Sequence, residues 1–90
     1  MKLIEAVQQL ATFDGDLTIY ARHPWTLASD TRLAIEGSDE EKKTKTEGLR
    51  YFLEVFIARE FLIDWTGTQL KPPTDAQSCS RLIEYASDDA

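Results

Sequence analysis

The sequence predicts a small α+β domain in the order helix, strand, strand, helix, helix, with a short antiparallel sheet covered on one face by helices. Three observations carry this. Apolar residues recur at helical spacing near both ends of the chain. Two short stretches alternate apolar with polar residues. One long apolar run without proline lies in the second half. The chain of 90 residues makes one domain, residues 1–90, with no room for a second.

Residues 2–13 place Leu3, Ile4, Val7, Leu10 and Ala11 on one side, with Lys2, Glu5, Gln8 and Gln9 mostly on the other. That is an amphipathic helix. Asp14-Gly15-Asp16 ends it, since Gly15 accepts the left-handed backbone of a helix end. Residues 17–22 then change period: Leu17, Ile19 and Ala21 alternate with Thr18, Tyr20 and Arg22. Pro24 cannot donate to a ladder and stops that strand. Residues 31–36 alternate again, with Leu33 and Ile35 on one face and Gly37 closing the stretch.

Residues 38–47 contain no apolar side chain, so 38–46 read as a polar, solvated loop or the frayed front of a helix. Ser38…Glu41 and Thr44…Glu47 both have capping-box spacing, and the second is favoured because the apolar run follows it. The run itself, residues 48–65, reads as one helix. At about 100° per residue, Arg50, Glu54, Glu60 and Asp64 share a narrow arc, opposite Tyr51, Phe52, Val55, Phe56, Leu62 and Ile63. Gly67 ends it. After Pro72-Pro73, Thr74 and Gln77 can cap a final helix over 75–86, with Ala76, Cys79, Leu82, Ile83 and Ala86 as its apolar stripe. Residues 87–90 read as a loose tail. A third strand has room in 22–27 or 61–65.

Composition excludes several function classes. No run reaches the roughly 18 apolar residues of a membrane span, and Glu5, Gln8 and Gln9 interrupt any signal-peptide core. A cytoplasmic protein with no membrane role is expected. The single cysteine forms no intramolecular disulfide, and one His with one Cys makes no ordinary zinc site. No metal and no cofactor are therefore expected. A net charge of −6 opposes nucleic-acid binding and favours basic partners.

A few residues stand out. Arg59 falls in the middle of the apolar arc, where a guanidinium needs a partner. That partner should be a carboxylate or carbonyls: either Arg59 is structural, snorkelling or pairing with Glu36 or Asp64, or it is an anion- or partner-binding arginine in a cleft. A helix break near Arg59 would remove the conflict. Leu53, Ile57 and Phe61, four apart, lie on or beside the charged arc. They are packed inside a doubly covered helix, or they form an exposed contact stripe. His23 and Trp25 share a loop with Arg22 and Asp30. No nucleophile is signalled beside His23, so no catalytic residue is expected. Trp25 anchors the loop on the core or serves as a recognition aromatic.

The run GLRYFLEVFIAREFLIDW, with PWT upstream and an alternating strand on each side of that PWT, resembles a group of small bacterial domains. Some of that group are thought to be immunity-type proteins of polymorphic toxin systems. The resemblance covers residues 17–65 and brings no catalytic motif. It implies a bacterial, non-enzymatic protein that neutralises a toxin partner.

Two functions fit these residues. The first is a non-enzymatic protein-binding module with a protein partner or a homodimer, using Leu53, Ile57, Phe61, Trp25 and Arg59. The alternative is a small ligand-binding or enzymatic domain centred on Arg59 and the His23–Trp25 loop.

Overall fold

A computed structural model describes residues 1–89, with Asp89 by its backbone alone. Leu3, Ala6 and Val7 face inward on α1 (Leu3–Gln8), which tightens into a 3-10 turn at Leu10–Thr12. The predicted helix over 2–13 is therefore two pieces. The Thr12 amide bonds the Gln9 carbonyl at 2.8 Å, a tighter closure than an α-helix makes.

The strands are β1 (Thr18–Arg22), β2 (Thr31–Ala34) and β3 (Leu49–Glu54), in the order β2-β1-β3, with both pairings antiparallel. The molecule is a small α+β domain, as its alternating stretches predict. Its third strand corrects the reading of residues 48–65 as one helix. Beyond Arg22, which ends β1, residues 23–27 form no strand, and 61–65 are helical.

A bulge explains why β3 is hard to see. Tyr20 pairs with Tyr51 and Ile19 with Leu53, so Phe52 is an extra residue on β3. Phe52 and Leu53 consequently both enter the same core cluster, at 1% and 2% exposure. A strand that buries two successive residues on one side loses its period of two. The chain then passes directly into α3 (Val55–Gly67), with the Val55 amide bonded to the Leu17 carbonyl at 2.9 Å.

The polar stretch is also ordered. Residues 39–46 form α2 (Asp39–Thr46) and not a loop. The Ser38 hydroxyl accepts from the Glu41 amide at 3.2 Å, so Ser38 is the cap, without the reciprocal bond of a full box because the Glu41 carboxylate takes the Gly37 amide. Thr44, favoured as a cap, lies within the helix. Asp39, Glu40 and Glu41 fill the first turn and Lys43 and Lys45 the last, as the helix dipole favours. This helix lies over the second face of the sheet. Tyr20, Ala34 and Leu49 form a small cluster there, and Thr44 is buried. Covering on both faces is why Thr18, Ile19, Tyr20 and Ala21 are all buried along β1. Gly48, at φ +93°, takes the positive angle needed to turn from α2 into β3.

The opposite face of the sheet carries the main core. Leu3, Val7 and Leu10 meet Ile19, Phe52, Leu53, Val55, Ala58, Cys79 and Leu82 there. The last of these come from α4 (Asp75–Asp89). Thr74 and Gln77 cap α4 reciprocally, at 2.8 and 3.1 Å, as their spacing predicts. Ser87, Asp88 and Asp89 continue this helix and are not a loose tail. Ala90 lies outside the described residues.

Candidate functional site

Leu53, Ile57 and Phe61 do not form one helical stripe, because Leu53 precedes the helix. It sits on β3 opposite Ile19 and is 2% exposed. Ile57 and Phe61 are half-buried against the main core. The Phe61 ring stacks on Tyr85 of α4 at 4.3 Å between centroids, and the Arg81 guanidinium lies 5.0 Å from the Phe61 centroid. The internal packing weighed from the sequence describes all three. Leu53 is enclosed, while Ile57 and Phe61 stay partly exposed.

Arg59 meets carbonyls and not a carboxylate. Its Nε donates to the Leu10 carbonyl at 2.9 Å, and its Nη2 donates to the Phe13 carbonyl. These acceptors bracket the 3-10 turn: Leu10 opens it and Phe13 follows it. A cation at a helix C-terminus is doubly favoured, by hydrogen bonding and by the dipole.

Trp25 anchors its loop. Its Nε1 donates to the Ala21 carbonyl at 3.2 Å, and its ring meets Phe52 edge-on at 5.0 Å. The exposed His23 ring packs edge-on against Trp25 at 5.2 Å. Arg22 and Asp30 approach within 3.8 Å beside a depression of about 370 Å³ lined in part by His23 and Pro24. The nearby Ser29 hydroxyl serves the loop itself, accepting from the Thr26 amide at 2.8 Å and facing the Pro24 carbonyl at 3.4 Å. The first residues of the chain brace this loop: Leu3 and Ile4 amides bond the Ser29 and Leu27 carbonyls. Arg59 and His23 therefore lie near opposite ends of β1 and line different depressions. They do not form the joint centre that the alternative function requires.

Three groups carry shifted protonation. The Tyr20 hydroxyl donates to the Glu41 carboxylate beneath α2. Burial first, then the hydrogen bond to Glu41 and its charge, push the phenol well above its ordinary range. The same hydroxyl, with the Gly37 amide at 3.0 Å, holds Glu41 below its ordinary value. Burial alone pushes the Cys79 thiol up to about 11, against an inert core position. The Tyr20–Glu41 pair was not anticipated from the sequence. Its signal was Tyr20 on the outward face of β1, with a polar segment long enough to return over it.

Exposed apolar side chains occur at several places, among them Ile35, Tyr51 and Leu70, and two more share the outer side of α3. Phe56 is 48% and Ile63 71% exposed, seven residues apart and thus aligned along the helix. Beside them runs a groove of about 460 Å³, lined by Val7, Leu10 and Ala11 on one wall and Arg59, Leu62 and Ile63 on the other. Glu60 and Asp64 are also exposed on α3, with Asp64 turned about 100° from Ile63 toward the Ile57 side. Asp14 and Asp16 flank Gly15, where a Cβ atom would stand 3.7 Å from that of Phe56. Among the described residues, none of these four carboxylates is in an ion pair. A second groove, of about 860 Å³, lies between the ends of α3 and α4. Its charges are mixed, and its Arg81 is engaged with Glu84 at 3.5 Å and with Phe61.

No protein-family model, curated protein or solved structure matches the chain. Among the described residues no helix is long and apolar enough to cross a membrane.

Proposed function

We propose that this chain is a non-enzymatic protein-binding module, of the immunity type its sequence resembles, and that it docks its partner through the outer side of α3. The observation that supports this most is the exposure of Phe56 and Ile63 on one line of the helix, beside the α1–α3 groove. Each such side chain contributes about 1.5–3 kcal/mol when a partner removes it from water. Aromatic and aliphatic anchors of this kind, rimmed by charge, make the centre of a typical interface. The surface differs from the one the spacing of Leu53, Ile57 and Phe61 suggests, but the type of function is the same.

A photo-crosslinking amino acid at position 63 tests this in cells of the source organism. The expected result is one predominant protein adduct at 63 and none with the same probe at Lys43 on α2. Adducts of equal yield at both positions, or at Lys43 alone, would overturn the reading.

A further inference from the structure

We infer that α2 is a hinged flap, which leaves the second face of the sheet as a unit while the main core stays folded. The flap is separate from the docking surface on α3. What holds α2 down is polar. Thr44 is its buried residue, and it has no apolar stripe. A helix of this kind gains little from burial, so a few local contacts decide whether it stays in place. Those contacts converge on one carboxylate. Glu41 accepts from the Tyr20 hydroxyl of β1 and from the Gly37 amide at 3.0 Å, and the Lys45 ammonium stands 3.8 Å from it. The same two hydrogen bonds hold Glu41 below its ordinary value, so the ionised form is the one that latches. A second tether is the ion pair of Glu47 with Arg32 of β2.

The ends of α2 are built to turn. Gly37 precedes the Ser38 cap and Gly48 follows Glu47, at φ +82° and +93°. A Cβ on Gly37 would meet nothing within 4 Å, so that end is not packed against the core. Short loop positions of this sort absorb the backbone rotation of a hinge. What lies beneath is separable from the rest. Tyr20, Ala34 and Leu49 form their own cluster, apart from the main core on the opposite face. Lifting α2 uncovers them and joins them to Tyr51, already 44% exposed and edge-on to the Tyr20 ring at 6.5 Å. The strand pairings of β1 with β2 and β3 are untouched by that movement.

The chain carries its own reference thiol, Cys79, buried in the main core. Ala34→Cys places a second thiol beneath α2, at a position 1% exposed. Both thiols are challenged with an aromatic disulfide reagent in native buffer, and each rate is divided by that of the same thiol in the unfolded chain. Position 34 should react at least about a hundredfold faster than Cys79, because opening the flap costs less than unfolding the domain. Adding Glu41→Ala or Tyr20→Phe should raise the rate at position 34 at least about tenfold, since each breaks the latch. Tyr20→Phe keeps the ring, so the cluster beneath α2 stays packed. Amide exchange on the wild type is the second readout. Amides 42–47 should exchange through an opening that depends little on denaturant, while those of α4 wait for global unfolding.

Equal corrected rates at position 34 and Cys79 would overturn the proposal, because α2 would then be part of one cooperative unit. A single opening shared by the amides of α2 and α4 would overturn it too. Fast reaction at position 34 that neither Glu41→Ala nor Tyr20→Phe changes would place the motion in the edge strand β2 and not in a latched flap. If Ala34→Cys does not fold, the exchange of the wild type decides alone.

Discussion

The Nε of Arg59, on α3, donates to the carbonyl oxygen of Leu10 at 2.9 Å, across a separation of 49 residues. With the second bond to Phe13 it ties the first helical segment to the middle of α3. Removing the guanidinium leaves two carbonyls unsatisfied in a part-buried site, at a cost of about 2 kcal/mol. Arg59→Met should therefore lower the melting temperature by roughly 10 °C in a domain of this size. Arg59→Lys should recover little, because one ammonium on a flexible stem does not reproduce the fork. Circular-dichroism melts of both variants check this, and an unchanged midpoint in Arg59→Met would show the clamp to be idle.

Tyr20 and Glu41 give the domain its pH response. Glu41 is held below its ordinary value of 4.5, so the stability it contributes is present above that pH and lost as pH falls through the depressed folded value. Tyr20 is raised above its ordinary 10.0, so its contribution is present below pH 10 and lost as pH rises toward the folded value. Glu41→Gln should flatten the acid limb of the stability curve. In an alkaline absorbance titration Tyr20 should stay protonated until the fold is lost. A phenolate signal from all three tyrosines before any loss of structure would contradict the buried pair.

Ser38 should matter more than its position at the end of a loop suggests. Its hydroxyl caps α2, and α2 is the cover over Tyr20, Ala34 and Leu49. Ser38→Ala should cost about 1 kcal/mol, or roughly 4–8 °C in melting temperature. Ser38→Asp should recover only part of this, since a carboxylate caps but cannot donate to the Ile35 carbonyl as the hydroxyl does at 2.5 Å. Equal losses in the two variants would point away from capping.

Much of the fold was legible where one physical signal acted alone. Alternation marks β1 and β2, and the Thr74–Gln77 box with its apolar stripe marks α4. The errors fall where two signals overlap. In β3 the bulge at Phe52 turns two successive residues into the core, which removes alternation and lets an apolar run imitate a helix. In α2 there is no apolar stripe to read, because a short helix over a tyrosine needs only Thr44 and the stem of Glu41 beneath it. The candidate surface followed from those errors. With residues 48–65 read as one helix, Leu53 aligns with Ile57 and Phe61, and Phe56 and Ile63 fall on the inner side. Moving Leu53 to a strand places Phe61 under Tyr85 and leaves Phe56 and Ile63 outward. Arg59 was identified as needing carbonyls or a carboxylate, and it has carbonyls.

The division of α3 into a packed inner side and a binding outer side is tested most directly by Ile63→Asp. The measurement is its affinity for the protein that position 63 captures, by titration calorimetry, with the melting temperature taken on the same sample. Ile63 is 71% exposed, so the melting temperature should stay within about 2 °C of wild type. The affinity should fall by about a hundredfold or more, because a carboxylate without a partner in a dry interface costs several kcal/mol. A folded variant that binds as tightly as wild type would contradict the account, and so would one that loses its fold.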